Sequence, residues 1–215
     1  MLKGIIGRKV GMTQIFSEEG ERIGVTVVEA GPCKVTQKKT EEKDGYSALQ
    51  LGFREKKKQR VNKALQEHFQ KSGGTVYYHL QEFRVREIDQ YEVGQDISVG
   101  IFKVGELVNV SGKSKGKGFA GMIKRHHARG GAASHGSMFH RAPGSIGASS
   151  FPSRVFKGKK LPGHMGNRRV TLRNLQIVGI DEAKNILVLK GAIPGANNGI
   201  LTINGDSRQS DGAVA

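Results

Sequence analysis

One segment of this 215-residue chain carries almost all of its net charge. Residues 111–169 contain 13 Lys or Arg and no Asp or Glu, and the carboxylate-free stretch widens to 107–180, with 14 basic side chains. The other 141 residues carry 21 basic and 19 acidic groups, which is only +2 of the formal charge of +16. Since the basic segment (residues 111–169) has no carboxylate, it cannot fold against itself through ion pairs.

The basic segment is also poor in material for a hydrophobic core. It has 12 glycines and 11 large apolar residues in 59 positions, whereas ordering the backbone costs about 1–2 kcal/mol per residue. We therefore expect it to take its structure from a polyanion or to stay disordered. Nucleic acid is the leading polyanion, because each neutralised phosphate releases counterions and because glycine permits close approach of the backbone.

A flexible polybasic loop with no fixed partner is the alternative interpretation. Two features favour nucleic acid over it. Aromatic and histidine residues suited to stacking on bases interrupt the basic run. Strand-like sequences also flank the run on both sides, so we interpret it as a loop that leaves a folded body and returns to it.

The rest of the chain predicts a mainly β protein. Short apolar runs separated by turn residues predict at least seven strands, and those before residue 53 are expected to form one antiparallel sheet. The spacing of Val61, Leu65 and Phe69 predicts an amphipathic helix that ends at 72–74. The architecture expected is a β-barrel with a small α/β insertion, closed by strands from both sides of the basic segment.

The predicted organisation has three parts. Residues 1–110 form the first part of the barrel body, with the α/β insertion at about 54–90. Residues 111–167 form the extended basic loop. Residues 168–215 supply the closing strands and a C-terminal tail, of which 207–215 is polar enough to fray.

The composition restricts which cellular compartment and which classes of binding partner fit this chain. A single cysteine, Cys33, excludes an internal disulfide and a Cys-rich zinc site, fits a reducing compartment, and is more typical of a structural thiol than of a reactive one. The N-terminal residues do not resemble a signal peptide, and no run of about 18 apolar residues predicts a membrane span. The pI of about 10.1 indicates acidic partners, nucleic acid before anionic lipid.

Two glycine motifs imitate nucleotide-binding sites. Residues 116–121 match G-x-G-x-x-G, but no carboxylate follows before Asp181 to bind a ribose. Residues 112–114 resemble the end of a P-loop, yet Leu107 occupies the place of its first glycine. Neither motif predicts nucleotide binding.

Five of the seven histidines lie in the basic segment: His126, His127, His135, His140 and His164. A metal site is disfavoured, because no Cys or carboxylate would complete the ligand set and neighbouring cations would repel the ion. Catalysis is disfavoured because the segment has no carboxylate to orient a histidine base. Contacts to phosphates or bases, or packing within the loop, are the favoured interpretations.

A second basic cluster is ambiguous. It comprises Arg54, Lys56, Lys57, Lys58 and Arg60. The sequence fits a second phosphate contact as well as it fits the solvated start of a helix.

Several motifs, taken together and in order, carry a family resemblance. They lie at 7–13, 110–121, 124–126, 134–136, 140–147, 155–160 and 163–167. Through them the chain resembles the bacterial large-subunit ribosomal proteins of the L3 family over nearly its full length.

That resemblance implies a translation-protein type β-barrel body and a long loop that threads into the large-subunit RNA toward the peptidyl transferase centre. The body would bind near the 3′ end of 23S rRNA, help to start 50S assembly, and lie beside ribosomal proteins L14 and L19. It implies a cytoplasmic, ribosomal protein involved in translation that is not an enzyme. No cofactor, catalytic residue, metal, membrane or small-molecule substrate is expected.

The resemblance also assigns residues. Seventeen residues are expected to bind rRNA: Lys113, Lys115, Lys117, Lys124, Arg125, His126, Arg129, His135, His140, Arg141, Arg154, Lys157, Lys159, Lys160, His164, Arg168 and Arg169. The loop tip near the peptidyl transferase centre would comprise Pro143, Gly144, Ser145, Ile146, Gly147, Ala148 and Ser149. Some bacterial members carry a methylated glutamine just after this motif, but here residues 148–150 are Ala-Ser-Ser, so that modification cannot occur at these positions.

Two other classes of function compete with this interpretation. A nuclease would need clustered carboxylates for a metal ion, and the basic segment offers none. A DNA-compacting protein would share the positive charge, and it differs in preferring duplex DNA to structured RNA.

Overall fold

Six antiparallel strands close into a barrel in the computed structural model, which describes residues 2–205. Their order around the barrel is β1-β12-β7-β10-β11-β2. The strands are β1 (Gly4–Phe16), β2 (Arg22–Ala30), β7 (Leu107–Lys113), β10 (Arg169–Asp181), β11 (Ile186–Lys190) and β12 (Ile200–Gly205). The fold class predicted from the sequence, a mainly β protein with a barrel, is confirmed.

The closure of the barrel depends on strands from both sides of the basic segment. Strand β7 leads into the segment and includes its first three residues, and it pairs with β10 on one edge and with β12 on the other. Strand β10 begins at the last residue of the segment and β12 follows it, so strands from both sides close the barrel, as the sequence predicts. The ladder between β7 and β10 ends where Lys113 faces Arg169, so the chain leaves the barrel and re-enters it at paired positions.

A second antiparallel sheet has the order β5-β4-β3-β6. Its strands are β3 (Cys33–Lys39), β4 (Ala48–Lys56), β5 (Val76–Arg84) and β6 (Asp96–Ile97). The expectation of one sheet before residue 53 is therefore wrong, because β1 and β2 belong to the barrel and β3 and β4 to the second sheet. The predicted insertion at about 54–90 takes in only part of this sheet.

Three short helices accompany the strands: α1 (Glu41–Asp44), α2 (Lys63–Gln70) and α3 (Met122–His126). The predicted amphipathic helix is α2. It begins after Asn62, whose side-chain oxygen accepts a hydrogen bond from the Leu65 amide at 3.0 Å. Phe69 is its buried residue, and it packs edge-on against the Tyr77 ring of β5 at 5.9 Å.

The barrel and the second sheet share one hydrophobic core. Barrel residues such as Ile5 and Leu201 and second-sheet residues such as Leu51 and Phe83 belong to the same buried cluster. Cys33 lies in it too, and its thiol donates to the Ile6 carbonyl at 3.4 Å. Burial raises the pKa of that thiol to about 12, which keeps it protonated at neutral pH. Cys33 is therefore a structural cysteine.

The chain divides into two compact units. One, the body, comprises Met1–Lys113 and Arg169–Ala215, and the other, the loop unit, is Ser114–Arg168. The predicted frayed tail, 207–215, lies outside the described residues, and the domain boundaries expected from the sequence stay predictions. Among residues 2–205, none of the helices has the length and apolar character that crossing a membrane requires.

Candidate nucleic-acid interface

The two ends of the loop unit run side by side. The Ser114 amide donates to the Arg168 carbonyl at 2.9 Å, and the Lys117 amide donates to the Met165 carbonyl at 2.9 Å. A two-residue ladder follows between β8 (Phe119–Ala120) and β9 (Gly163–His164). We call residues 114–120 and 163–168 the stem. The stem has backbone hydrogen bonds of its own, which the charge pattern did not indicate.

Close approach within the stem depends on glycine. At Gly166 a side chain would place its Cβ 2.1 Å from the Lys115 carbonyl oxygen, and the backbone there has a φ of +73°. Glycine alone meets both conditions without strain. This gives a physical reason for one of the 12 glycines that the sequence concentrates in the segment.

Helix α3 follows the stem. It ends at His126, and the next residue, His127, takes the left-handed conformation with φ 57°. Arg125 and His126 point from this helix toward one carbonyl across the loop: Arg125 Nη1 donates to the Leu161 oxygen at 2.8 Å, and His126 Nε2 lies 3.2 Å from it. These two side chains are half-buried.

The other fifteen predicted rRNA-binding residues are exposed. Lys113 and Arg169 lie on the barrel strands β7 and β10, and the remaining thirteen lie in the loop unit. The structure thus leaves most of the predicted contacts available to a partner. Arg125 and His126 differ in having a partner inside the loop, and the assignment of all seventeen residues to rRNA binding stays a prediction.

The positive charges of the segment are not neutralised within the part of the chain that the structure describes. The ion pairs found between residues 2 and 205 all lie in the body, for example Lys3 with Glu106 at 2.6 Å and Lys39 with Glu82 at 2.9 Å. None of them uses a basic residue of 111–169. The basic segment therefore presents a field of free positive charge.

Beyond α3 the chain makes a smaller closed turn. The Gly131 amide donates to the His140 carbonyl at 3.0 Å, and His140 Nδ1 lies 2.9 Å from the Ala132 oxygen. The predicted tip follows, and residues 143–149 are all exposed. Within it, the Ser145 hydroxyl donates to the Gly147 carbonyl at 3.0 Å.

The loop unit has no hydrophobic core. Ala120 is its one buried residue among those described. Large apolar side chains are instead in solvent: Phe119 is 80% exposed, Met138 98% and Phe151 86%. A guanidinium also lies over an exposed ring, with Arg154 Cζ 5.6 Å from the centre of Phe156. Exposed rings beside free cations suit base stacking.

The residue assignment from the sequence missed these rings and one cation. The interleaving of aromatic residues with Lys and Arg indicates stacking in general, but the family motifs did not assign Phe119, Phe151 or Phe156 individually. Arg173 is exposed on β10 and lies within the same carboxylate-free stretch. Its place in the carboxylate-free stretch is the available signal, although it lies beyond the motifs that carry the family resemblance.

Two further features of the sequence can be placed. Within residues 2–205, no three His, Cys, Asp or Glu side chains come together in a group that could hold a metal ion. The second basic cluster lies at the end of β4 and in a 3₁₀ turn (Lys58–Arg60) before α2. Its Lys56 ammonium lies 5.2 Å from the centre of the Tyr78 ring.

Comparison with known proteins identifies the family. The family model described as "Ribosomal protein L3" matches residues 50–186, more than half of the chain. The chain is 56% identical over 203 residues to the large ribosomal subunit protein uL3 of Geobacter sulfurreducens, with 94% of this chain and 97% of the relative covered. The uL3 of Syntrophus aciditrophicus is also 56% identical, covering 94% and 93% of the two chains.

A relative from Carboxydothermus hydrogenoformans, again a large ribosomal subunit protein uL3, is 57% identical over 203 residues, which is 94% of this chain and 97% of the relative. Identity at this level along nearly the whole of each chain indicates common ancestry and a shared fold. With its six-stranded barrel and its carboxylate-free loop, the chain belongs to the ribosomal protein L3 family.

Proposed function

We propose that this chain is a structural constituent of the large ribosomal subunit that binds 23S rRNA mainly through its basic loop. The ribosomal protein L3 family is one of structural proteins in the ribosome, and the chain is accordingly not an enzyme. Binding near the 3′ end of 23S rRNA and a part in starting 50S assembly belong to the same proposal.

One observation carries the proposal: the exposed cations of 111–169 have no anionic partner among the described residues. These cations repel one another and so do not stabilise the free loop. Each phosphate that they neutralise, by contrast, releases counterions into solution. Exposed rings such as Phe119 and Phe151 supply stacking surfaces for unpaired bases. RNA helices that crowd together offer both kinds of partner.

The tip carries the finer part of the proposal. Residues 143–149 are uncharged and exposed, so they suit close approach to an RNA site that a cation would perturb. We propose that they lie near the peptidyl transferase centre and tune its geometry without taking part in chemistry. Replacing Ser145, Ile146 and Ser149 by alanine should alter peptide-bond formation or sensitivity to drugs bound there, and unchanged values for both would refute this part.

The proposed partners beside rRNA are ribosomal proteins L14 and L19, on the body. Crosslinking within assembled large subunits tests them. Photo-reactive groups placed on exposed body residues should label these two proteins, while groups placed at 143–149 should label RNA alone.

The main proposal is tested by competition at fixed salt. The full chain, bound to labelled 23S rRNA, is challenged with unlabelled 23S rRNA or with duplex DNA of equal phosphate content. We expect the RNA to compete at least about tenfold better, because the shape of structured RNA adds to the shared electrostatic attraction. Equal competition would favour a DNA-compacting protein, and divalent-dependent cleavage of either polymer would favour a nuclease.

A further inference from the structure

We infer that Arg125 and Gly163 form a latch that joins the two sides of the loop before RNA binds, so that Arg125 and His126 position the loop instead of contacting phosphate. This inference rests on the proposed function for its consequence in RNA binding. Its structural half stands on the geometry of the loop unit alone.

The guanidinium of Arg125 lies against the backbone of the returning chain. Its Nη1 donates to the Leu161 carbonyl at 2.8 Å. A Cβ at Gly163 would lie 2.5 Å from that same Nη1 and 3.2 Å from the Cζ. Any larger residue at 163 would therefore force the guanidinium out of this position.

His126 reinforces the same contact. Its Nε2 lies 3.2 Å from the Leu161 oxygen, so one carbonyl faces side chains from two successive helix residues. Helix α3 is held in turn by the Arg125 amide, which donates to the Gly121 carbonyl at 2.9 Å. The latch thus connects α3 to the strand β9, directly beyond the point where Ala120 pairs with Gly163.

The contrast with neighbouring cations supports a positioning role. Lys124 and Arg129 are exposed, whereas Arg125 is half-buried and spends a donor on the loop itself. A charge-assisted hydrogen bond of this kind is stronger than a neutral one. In a loop unit with a single buried residue, such a bond is one of the few interactions that can hold the two sides together.

The consequence for binding is preorganisation. If the loop were open, binding to RNA would include the entropic cost of ordering both of its sides. A stem that is already closed lowers that cost. The latch therefore raises affinity without neutralising a phosphate. This separates it from a direct contact, which would change the salt dependence of binding.

Hydrogen exchange of the free, full-length protein tests the latch itself. We expect Arg125→Ala to speed exchange of the Lys117 and Met165 amides by about tenfold, which corresponds to about 1.4 kcal/mol. Gly163→Ala should do the same although it removes no charge, since its Cβ displaces the guanidinium. Gly163 does not have a positive φ, so the substitution adds no backbone strain. Lys124→Ala is the matched control and should leave both amides unchanged.

The double variant Arg125→Ala with Gly163→Ala distinguishes loss of the latch from a nonspecific destabilisation of the loop by either substitution. Without the guanidinium the new Cβ meets nothing in its way, so the double variant should exchange no faster than Arg125→Ala alone. Additive effects, or normal exchange in Gly163→Ala, would overturn the latch.

Binding to protein-free 23S rRNA, measured between about 50 and 200 mM salt, tests the role. Arg125→Ala and Gly163→Ala should weaken binding by about fivefold to tenfold and leave the slope of log K against log salt unchanged, whereas Lys124→Ala should make the slope shallower by about 0.7–0.9. Arg125→Lys keeps the charge but loses the planar fork, and it should behave like Arg125→Ala. A shallower slope for Arg125→Ala would make it a phosphate contact. Failure of the unmodified chain to bind would refute the proposed function, while the exchange data would still decide the latch.

Discussion

The body and the loop unit solve the problem of ordering a chain in different ways. The body buries a shared core of apolar side chains, of which Ile5, Leu51 and Ile203 are fully inaccessible, and pairs part of its charge internally. The loop unit buries Ala120 alone among its described residues and has no carboxylate with which to pair. Hydrogen bonds between its two sides and close backbone approaches at glycine take the place of a core.

The difference explains how one chain can be both stable and highly charged. Apolar burial supplies most of the free energy of folding, and it is concentrated in the body, whose 24 basic and 19 acidic residues leave only +5 of the formal charge of +16. The charge is concentrated where little folding free energy is at stake. Cations that would weaken a compact body are therefore kept free for an external polyanion.

Removing the loop unit gives the sharpest separation of the two roles. Because Lys113 and Arg169 are partners in one ladder, a two-residue Asn-Gly turn can replace Ser114–Arg168 and close the hairpin between β7 and β10. We expect a cooperatively folded body whose affinity for 23S rRNA is lower by roughly 10³-fold, the lower end of the gap between specific and non-specific complexes. Filter binding and thermal denaturation measure the two properties.

The control for the excised variant is Lys184→Ala, which removes an exposed cation from the body and should bind nearly as well as the unmodified chain. An excised variant that binds within tenfold of the full chain would place the main interface on the body.

Substitutions of apolar residues should affect the two units unequally. Leu201 is 1% exposed in the shared core, and Leu201→Ala should lower the free energy of unfolding by about 2–5 kcal/mol through lost burial and a residual cavity. Phe151 is a larger side chain than Leu201 but is 86% exposed, so Phe151→Ala should change the free energy of unfolding by less than about 0.5 kcal/mol. Chemical denaturation measures both. A comparable loss from Phe151→Ala would mean that the loop unit has a stabilising core after all.

Added volume in the second sheet should cost less than lost volume in the core. At Gly52 a Cβ would lie 2.5 Å from the Tyr77 ring, so Gly52→Ala should destabilise the body by about 1–3 kcal/mol through overpacking. Gly24 is the matched control on β2, because a Cβ there meets nothing within 4 Å. Gly24→Ala should be neutral or slightly stabilising, and equal losses at both positions would assign the effect to backbone conformation.

The smallest expected effect is on how the free energy of unfolding changes at acidic pH. Hydrogen bonds from Lys39 and then from Tyr46 lower the pKa of Glu82. A carboxyl whose pKa is lowered by folding contributes stability above its unfolded pKa and loses it as the pH falls through its folded pKa. Glu82→Gln should therefore flatten the acid limb of the unfolding free energy measured from neutral pH downward.

Glu18→Gln, in the exposed turn before β2, controls for the loss of one carboxylate. The loop-excised variant extends the comparison, because the loop unit has no Asp or Glu and its removal should leave the acid limb unchanged. An acid limb that changes on excision would show that the loop unit stabilises carboxylates of the body.

Much of the local structure could be predicted. Short apolar runs separated by turn residues predicted a mainly β protein, and the helical spacing around Phe69 identified α2. The assignment of strands to sheets was not predictable in the same way. The hairpins β1–β2 and β3–β4 look alike locally, and the chain passes from the barrel to the second sheet at Gly31, which has a φ of +86°. Where each hairpin pairs depends on contacts distant in sequence.

The candidate interface likewise has features that the sequence predicts and others that only the folded structure defines. A charge pattern is a property of composition, so the free cations, the lack of a core and the polyanionic partner could be inferred from residues 111–169 directly. The role of a single cation depends on what lies opposite it in space. Arg125 is one of thirteen Lys and Arg residues in the segment until folding brings the Leu161 carbonyl and the open face of Gly163 against it.

The sequence by itself determined the β class, the family, and the division into a near-neutral body and a positively charged loop, because these follow from charge, periodicity and motif order along the chain. Tertiary structure decided which strands close the barrel, which glycines admit a neighbour, and which cations remain free. Each of those depends on the distance between residues far apart in sequence, which only the folded chain defines.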